Sequence, residues 1–276
     1  MGIRINTNTA AINTRRNLYN STTKFQKSME KLSSGLRINR AADDAAGLAI
    51  SEGLKSDIRA LEQAGRNAAD GVSMVQTAEG ALDEVSNILG RMKELAEQSL
   101  NGTLSDTERG YLDAEYTEMM NEIDRISDSA EFNGIKLLDG TATGGAVNIQ
   151  VGIGTAAYDS IAVDLSQDTD SAGLTLAAGV DSAANAATAM GQIDAAIETV
   201  SSTRSDFGAI QNRLESSIRN INNTAENLSA ANSRIRDVDV ASETSKMTSY
   251  QILQQAGVSV LAQANMTSGL ALSLLG

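Results

Sequence analysis

Three constellations in this 276-residue sequence could do chemistry. Asp43-Asp44 has the adjacency of a carboxylate dyad or of two metal ligands. Gly152-Ile153-Gly154-Thr155-Ala156-Ala157 follows an alternating apolar stretch and matches the G-x-G-x-x-A fingerprint that cradles a dinucleotide pyrophosphate. Asp168, Asp170 and Gly173 resemble the opening of a calcium loop. Each fails on its surroundings. No other ligand type flanks Asp43-Asp44, and carboxylates ahead of an alanine-rich stretch suit a helix N-terminus. The glycine fingerprint requires a helix next. Instead Tyr158-Asp159-Ser160 and a second alternating stretch follow, which predicts a hairpin loop. The calcium loop lacks its terminal glutamate and reads as a solvated turn. The sequence also contains no histidine and no cysteine. That removes the commonest general base, the commonest metal ligand, nucleophile–histidine pairs and thiol chemistry together. No catalytic, cofactor or metal residue is expected.

The elements that would have to position such residues have a different logic. From Ile193 a stride of seven gives Val200, Phe207, Leu214, Ile221, Leu228 and Ile235, all large and apolar. The interleaved set from Ile197 to Asn232 is apolar only half the time. A strict heptad stripe makes a seam along a helix that supercoils on a partner. From Leu54 the same stride gives Leu61, Ala68, Val75, Leu82, Leu89 and Ala96. Two such seams, one in each half of the sequence, predict an antiparallel rod. The absence of proline removes helix breakers from both.

Composition and charge agree. Aromatics are 3%, too few for ordinary globular cores of this length, and there is no tryptophan. The net charge is −13, unevenly spread: residues 1–40 carry eight basic side chains against the single acid Glu30, a net of +7, which leaves −20 for the remainder. An acidic body argues against nucleic acid as a partner. No secretory signal peptide is evident at the start. From Met247 to Gly276 there is no charged side chain, yet Gln251, Gln254, Gln255, Gln263 and Asn265 interrupt the apolar residues. That tail suits burial against protein, and membrane insertion is not expected.

In order, Ile12, Leu18, Phe25, Met29 and Leu32 make an amphipathic helix over 6–33 that stops at Gly35. A long helix spans about 46–100 and breaks at Asn101-Gly102. Ser105 and Glu108 form a capping box for a helix over 105–129. The period then changes to two at Val147, Ile149, Val151 and again at Ile161, Val163, Leu165, predicting a β-hairpin within 132–188, of which 166–188 reads as exposed loop. The second long helix covers about 190–235, and a last amphipathic helix includes Leu253, Val260 and Leu261. The expected class is mainly α: an elongated antiparallel helical rod or coiled-coil bundle with a small β-hairpin region. The architecture is nested and discontinuous, with 1–45 pairing with 240–276 around a rod domain at 46–239.

The run Leu32-Ser33-Ser34-Gly35-Leu36-Arg37-Ile38-Asn39-Arg40-Ala41-Ala42-Asp43-Asp44-Ala45-Ala46-Gly47-Leu48-Ala49-Ile50-Ser51 resembles the N-terminal signature of bacterial flagellin. Ser259-Val260-Leu261-Ala262-Gln263-Ala264-Asn265 resembles its C-terminal signature, and Leu272-Ser273-Leu274-Leu275 its ending, though the usual nearby proline is absent. The resemblance covers roughly 1–140 and 190–276, so the large outer domains of longer flagellins are expected to be absent. It implies a structural subunit, not an enzyme, that polymerises with itself into the extracellular flagellar filament. It further implies export in an unfolded state by the flagellar type III apparatus with an export chaperone, and contacts with filament cap and hook-junction proteins. Terminal helices would pack in the filament core through Ile12, Leu18, Phe25, Met29, Leu32, Leu253, Val260, Leu261, Leu272, Leu274 and Leu275. In flagellins seen by an animal Toll-like receptor, the contact positions match Arg91, Leu95 and Glu115. A hook–filament junction protein is the alternative within the same structural class. A carboxylate-dependent hydrolase built on 140–190 is the alternative outside it.

Overall fold

The seven-residue stride of apolar side chains becomes two helices of similar length. In the computed structural model, which describes residues 7–140 and 145–273 (side chains of the last helix as far as Met266), α2 is Ala45–Ser99 and α4 is Ala183–Arg236. Three further helices are α1 (Thr9–Ser34), α3 (Asp106–Ser129) and α5 (Val240–Ser273). Two antiparallel hairpins complete the fold: β1 (Glu131–Phe132) with β2 (Ile135–Lys136), and β3 (Ala146–Gln150) with β4 (Ser160–Asp164). The protein divides into two compact units, 57–226 and the pair of segments 1–56 with 227–276. These divisions fall inside α2 and α4, whereas the sequence suggested boundaries at the connectors.

In the 57–226 unit, α2 and α4 run antiparallel. Ile221 lies opposite Gly65, Leu214 opposite Gly71, Arg204 pairs with Asp83 at 3.0 Å and Lys93 with Asp194 at 2.6 Å. The seam residues Leu61, Val75, Leu82, Leu89, Ile193, Val200, Phe207, Leu214 and Ile221 are all buried. Each contributes roughly 1.5–3 kcal/mol by leaving water, while the exposed ion pairs add little. The third helix lies against the same core through Tyr116 and Ile123. Its capping box is formed: the Ser105 amide donates to Glu108 Oε2 at 2.8 Å and the Glu108 amide donates to Ser105 Oγ. The Tyr116 hydroxyl is buried without a partner among the described residues, and burial, with Asp113 nearby, pushes its pKa up to about 12. An unsatisfied buried hydroxyl costs about 1–3 kcal/mol. Tyr116→Phe should therefore leave the bundle equally stable or more stable by about 1 kcal/mol, read by urea unfolding; a clear loss would mean the hydroxyl has a partner.

Three expectations need correction. The 166–188 stretch is not an exposed loop: Leu174, Leu176 and Val180 are buried in the core. Its backbone is held by side chains of the helices. Asp124 accepts from the Ser171 amide, Asp113 from Val180, and Gln192 from Ala177 and Ala178. The second long helix begins at Ala183, not near 190, because Ser182 caps it, accepting from the Asn185 amide at 3.3 Å. A second hairpin, β1–β2, turns at Asn133-Gly134, both with positive φ, where the sequence predicted a single hairpin built on 147–165.

In the unit formed by the two ends, α1 and α5 are antiparallel along their described lengths. Asn8 Nδ2 donates to the Ala264 carbonyl at 2.8 Å, Leu18 faces Gly257, Lys24 lies over the Tyr250 ring, and Ser28 meets Glu243. Leu36 bridges to Asp237. Gly35, at φ +71°, ends α1 in the left-handed conformation that glycine adopts without strain. Arg37 then reaches the end of α4, donating to the Ile235 carbonyl at 2.6 and 3.1 Å. A cation there satisfies a carbonyl the helix leaves unpaired. Asp239 starts α5 by accepting from the Ser242 amide.

Candidate assembly surface

The sites with possible chemistry are occupied by the protein itself. Asp44 Oδ1 accepts from the Gly47 amide at 2.9 Å, capping α2, and Asp43 Oδ2 accepts from the Arg40 amide. Gly152 and Gly154 leave room for a carboxylate: a Cβ on either would collide with Asp159, whose Oδ2 accepts from the Ala156 amide at 3.2 Å. The glycines that resemble a phosphate cradle therefore close on an internal anion. Asp168 and Asp170 accept from the backbone amides of Asp170 and Gly173, as turn caps do. Burial, with Asp170 and Asp139 alongside, pushes the Asp168 carboxyl up. Among the described residues no group of three or more side chains could hold a metal, and no helix is long and apolar enough to cross a membrane.

What remains open is apolar surface on the end helices. Ile12 is 58% exposed and Leu253 53%, and Met29 and Val260 are exposed as well. Leu18, Phe25, Leu32 and Leu261 are half-buried. Ile252, Val258 and Met266 are also exposed, so α5 carries large apolar groups on more than one face. A helix apolar on several sides belongs inside an assembly. A groove of about 740 Å³ lies along α1, walled by Ile12, Leu18, Tyr19 and Leu261 with Arg15 and Arg16 at its edge. The side chains of Leu272, Leu274 and Leu275 lie outside the described residues. Leu54, Leu228 and Ile235, the seam positions in this unit, are half-buried.

A buried polar contact helps tie the pair. Glu243 is 7% exposed and accepts from the Ser28 hydroxyl at 2.6 Å, with Lys246 at 3.3 Å. Burial alone would push this carboxyl up, but Ser28, Lys246 and Lys31 outweigh it and hold it below the usual range. A depressed folded-state pKa favours pairing above the unfolded value and loses that contribution as pH falls through the folded one. Helix content of the ends should thus decline on acidification below about pH 4. Glu243→Gln should lack this component of a circular-dichroism titration; superimposable titrations would show that Glu243 does not couple the helices to pH.

On the 57–226 unit, Arg91 donates to Glu115 at 2.9 Å and to Glu94 at 2.8 Å, and both carboxylates raise its pKa. Leu95 does not join them on the surface. It is 1% exposed: one helical turn on and only about 40° around from Arg91, it sits at the core edge, which the longer Arg91 side chain leaves. Sequence reasoning missed Ser28, Glu243, Ser99 and Arg109, whose partners lie on other elements.

Residues 5–143 match the family model of the bacterial flagellin N-terminal helical region, and 190–275 that of the C-terminal helical region. A flagellin of Halalkalibacterium halodurans is 49% identical over 98% of this chain and 99% of its own length. This protein belongs to the bacterial flagellins. A flagellar filament 33 kDa core protein of Treponema phagedenis is 42% identical over 98% of this flagellin and 99% of its own length. The crystal structure of Bacillus cereus flagellin superposes with a TM-score of 0.52 at 36% identity, covering 60% of this flagellin and 94% of that structure. Between the two matched family regions lie β3, β4 and the docked segment that follows.

Proposed function

We propose that this flagellin is the structural subunit of a flagellar filament, polymerising with itself outside the cell to serve motility. The observation that carries this reading is the apolar surface left open on the paired end helices, from Ile12 to Val260, in a protein whose relatives include a named filament core protein. No cofactor or nucleotide is needed, since assembly is driven by burial of that surface. The test is electron microscopy of the purified protein at high concentration and salt. Long helical filaments are expected; monomers alone would refute the reading.

Finer partners follow from the family. The subunit leaves the cell unfolded through the flagellar type III apparatus, attended by an export chaperone, and meets the filament cap and the hook-junction proteins at the filament's two ends. An animal Toll-like receptor is a further partner, through the Arg91 and Glu115 surface, with Leu95 supporting that surface from below. Arg91→Ala removes a guanidinium that organises two carboxylates. It should lower receptor activation by monomer while leaving unfolding within about 0.5 kcal/mol of wild type; unchanged activation would remove the assignment.

A further inference from the structure

The sequence has two Asn-Gly pairs, Asn101-Gly102 and Asn133-Gly134, and both asparagines are exposed. Such pairs can cyclise because glycine has no Cβ to shield its nitrogen. The two differ in what surrounds them. Asn101 follows the end of α2, and its backbone carbonyl accepts from Arg109 Nη2 at 3.0 Å. Arg109 Nε holds the Ser99 carbonyl at 2.9 Å, and the arginine is only 8% exposed. Asn101 Oδ1 accepts from the Thr103 amide at 3.2 Å. Asn133 sits in the tight turn between β1 and β2, and among the described residues no cation contacts it.

We infer that Asn101-Gly102 is a self-modification site, at which the fold promotes conversion of Asn101 to aspartate and isoaspartate. The nucleophile is the Gly102 backbone nitrogen after loss of its proton to solvent base. Its negative charge is shared, through amide resonance, with the Asn101 backbone carbonyl oxygen. The Arg109 guanidinium is bonded to that oxygen in a water-poor position and so stabilises the anion. The nitrogen forms a bond to Asn101 Cγ, and the electron pair of the Cγ=Oδ1 double bond moves onto Oδ1. The Thr103 amide already donates to this oxygen and stabilises the developing oxyanion. Collapse breaks the bond from Cγ to Nδ2, and the leaving nitrogen takes a proton from water and departs as ammonia. The resulting succinimide is opened by one water molecule, at one carbonyl to aspartate or at the other to isoaspartate. The net reaction consumes one water, releases one ammonia and replaces a neutral side group by a carboxylate beside Arg109. No oxidant or cofactor enters.

The two pairs in one molecule make the test. The full-length protein is incubated at mildly alkaline pH, native and in urea, and peptide mapping follows the amide-to-acid mass change and isoaspartate at each pair. In the native protein Asn101 should convert about tenfold faster than Asn133, a barrier difference of roughly 1.4 kcal/mol. In urea both pairs lose their surroundings and the ratio should fall toward unity. Arg109→Lys keeps a charge but loses the planar fork. It should slow Asn101 alone and displace its rate–pH line to higher pH, which a general loosening of the fold would not do. Equal or slower conversion of Asn101 in the native protein overturns the inference, as does an advantage that persists in urea. These native and urea arms need no variant, so the inference stands or falls even where Arg109→Lys does not fold.

Discussion

Removing residues 247–276 is expected to abolish filament formation while leaving the 57–226 bundle folded. The removed segment takes with it most of α5 and all the exposed apolar groups from Ile252 to Met266. What α5 gives α1 within one subunit is modest: a few half-buried side chains, the Ser28–Glu243 and Asn8–Ala264 hydrogen bonds and the Lys24–Tyr250 contact. Ordering each backbone residue costs about 1–2 kcal/mol, and each buried Leu, Ile or Val gains roughly 1.5–3 kcal/mol. With so many of those groups still wet in a single copy, the end pair sits near balance and neighbouring copies decide it. Trypsin should therefore strip the ends from dissolved subunits first and leave a helical core of about 50–235. Because no Lys or Arg follows Lys246, the tail should leave in one piece. Filaments should resist the same treatment. A truncated protein that still polymerises would show that the tail is not the assembly element.

The opposite behaviour is expected at Phe207. It is buried in the shared core of the bundle, and Phe207→Ala should cost about 3–5 kcal/mol in unfolding of that unit. Ile12→Ala, at an exposed position on α1, should cost almost nothing in the dissolved subunit yet weaken polymerisation. Chemical unfolding and negative-stain counts on the two variants separate stability from assembly. If Phe207→Ala unfolds like wild type, the seam is not what holds the bundle. If Ile12→Ala polymerises like wild type, that face is not part of the contact.

The long helices were legible because a heptad stripe is a property of one segment: Ile193 to Ile221 needs no knowledge of the partner to be recognised. The capping box at Ser105 was legible for the same reason. The burial of Leu95 was not legible, because a matched position carries identity but not orientation, and that short side chain stays in the core. The stretch at 166–188 was misjudged because its three large apolar residues, Leu174, Leu176 and Val180, are too few among small and polar neighbours to mark a face. What orders them is a set of acceptors, Asp113, Asp124 and Gln192, that belong to the flanking helices and announce nothing locally. Ser28 with Glu243 was invisible for a related reason, being 215 positions apart. Gly152 and Gly154 show the reverse case, in which a local pattern is genuine but its anion comes from Asp159.

The way the backbone is held after β4 bears on where the polypeptide could be lengthened. An inserted peptide between 170 and 180 would have to displace amides already donating to Asp124, Gln192 and Asp113, stranding half-buried polar groups on both sides. The tip of the β3–β4 hairpin makes a smaller demand at Thr155, which is exposed and precedes the turn in which the Ala156 amide donates to Asp159 Oδ2. Foreign epitopes or tags are thus best grafted at Thr155, ahead of the turn that Asp159 closes, where the backbone is exposed.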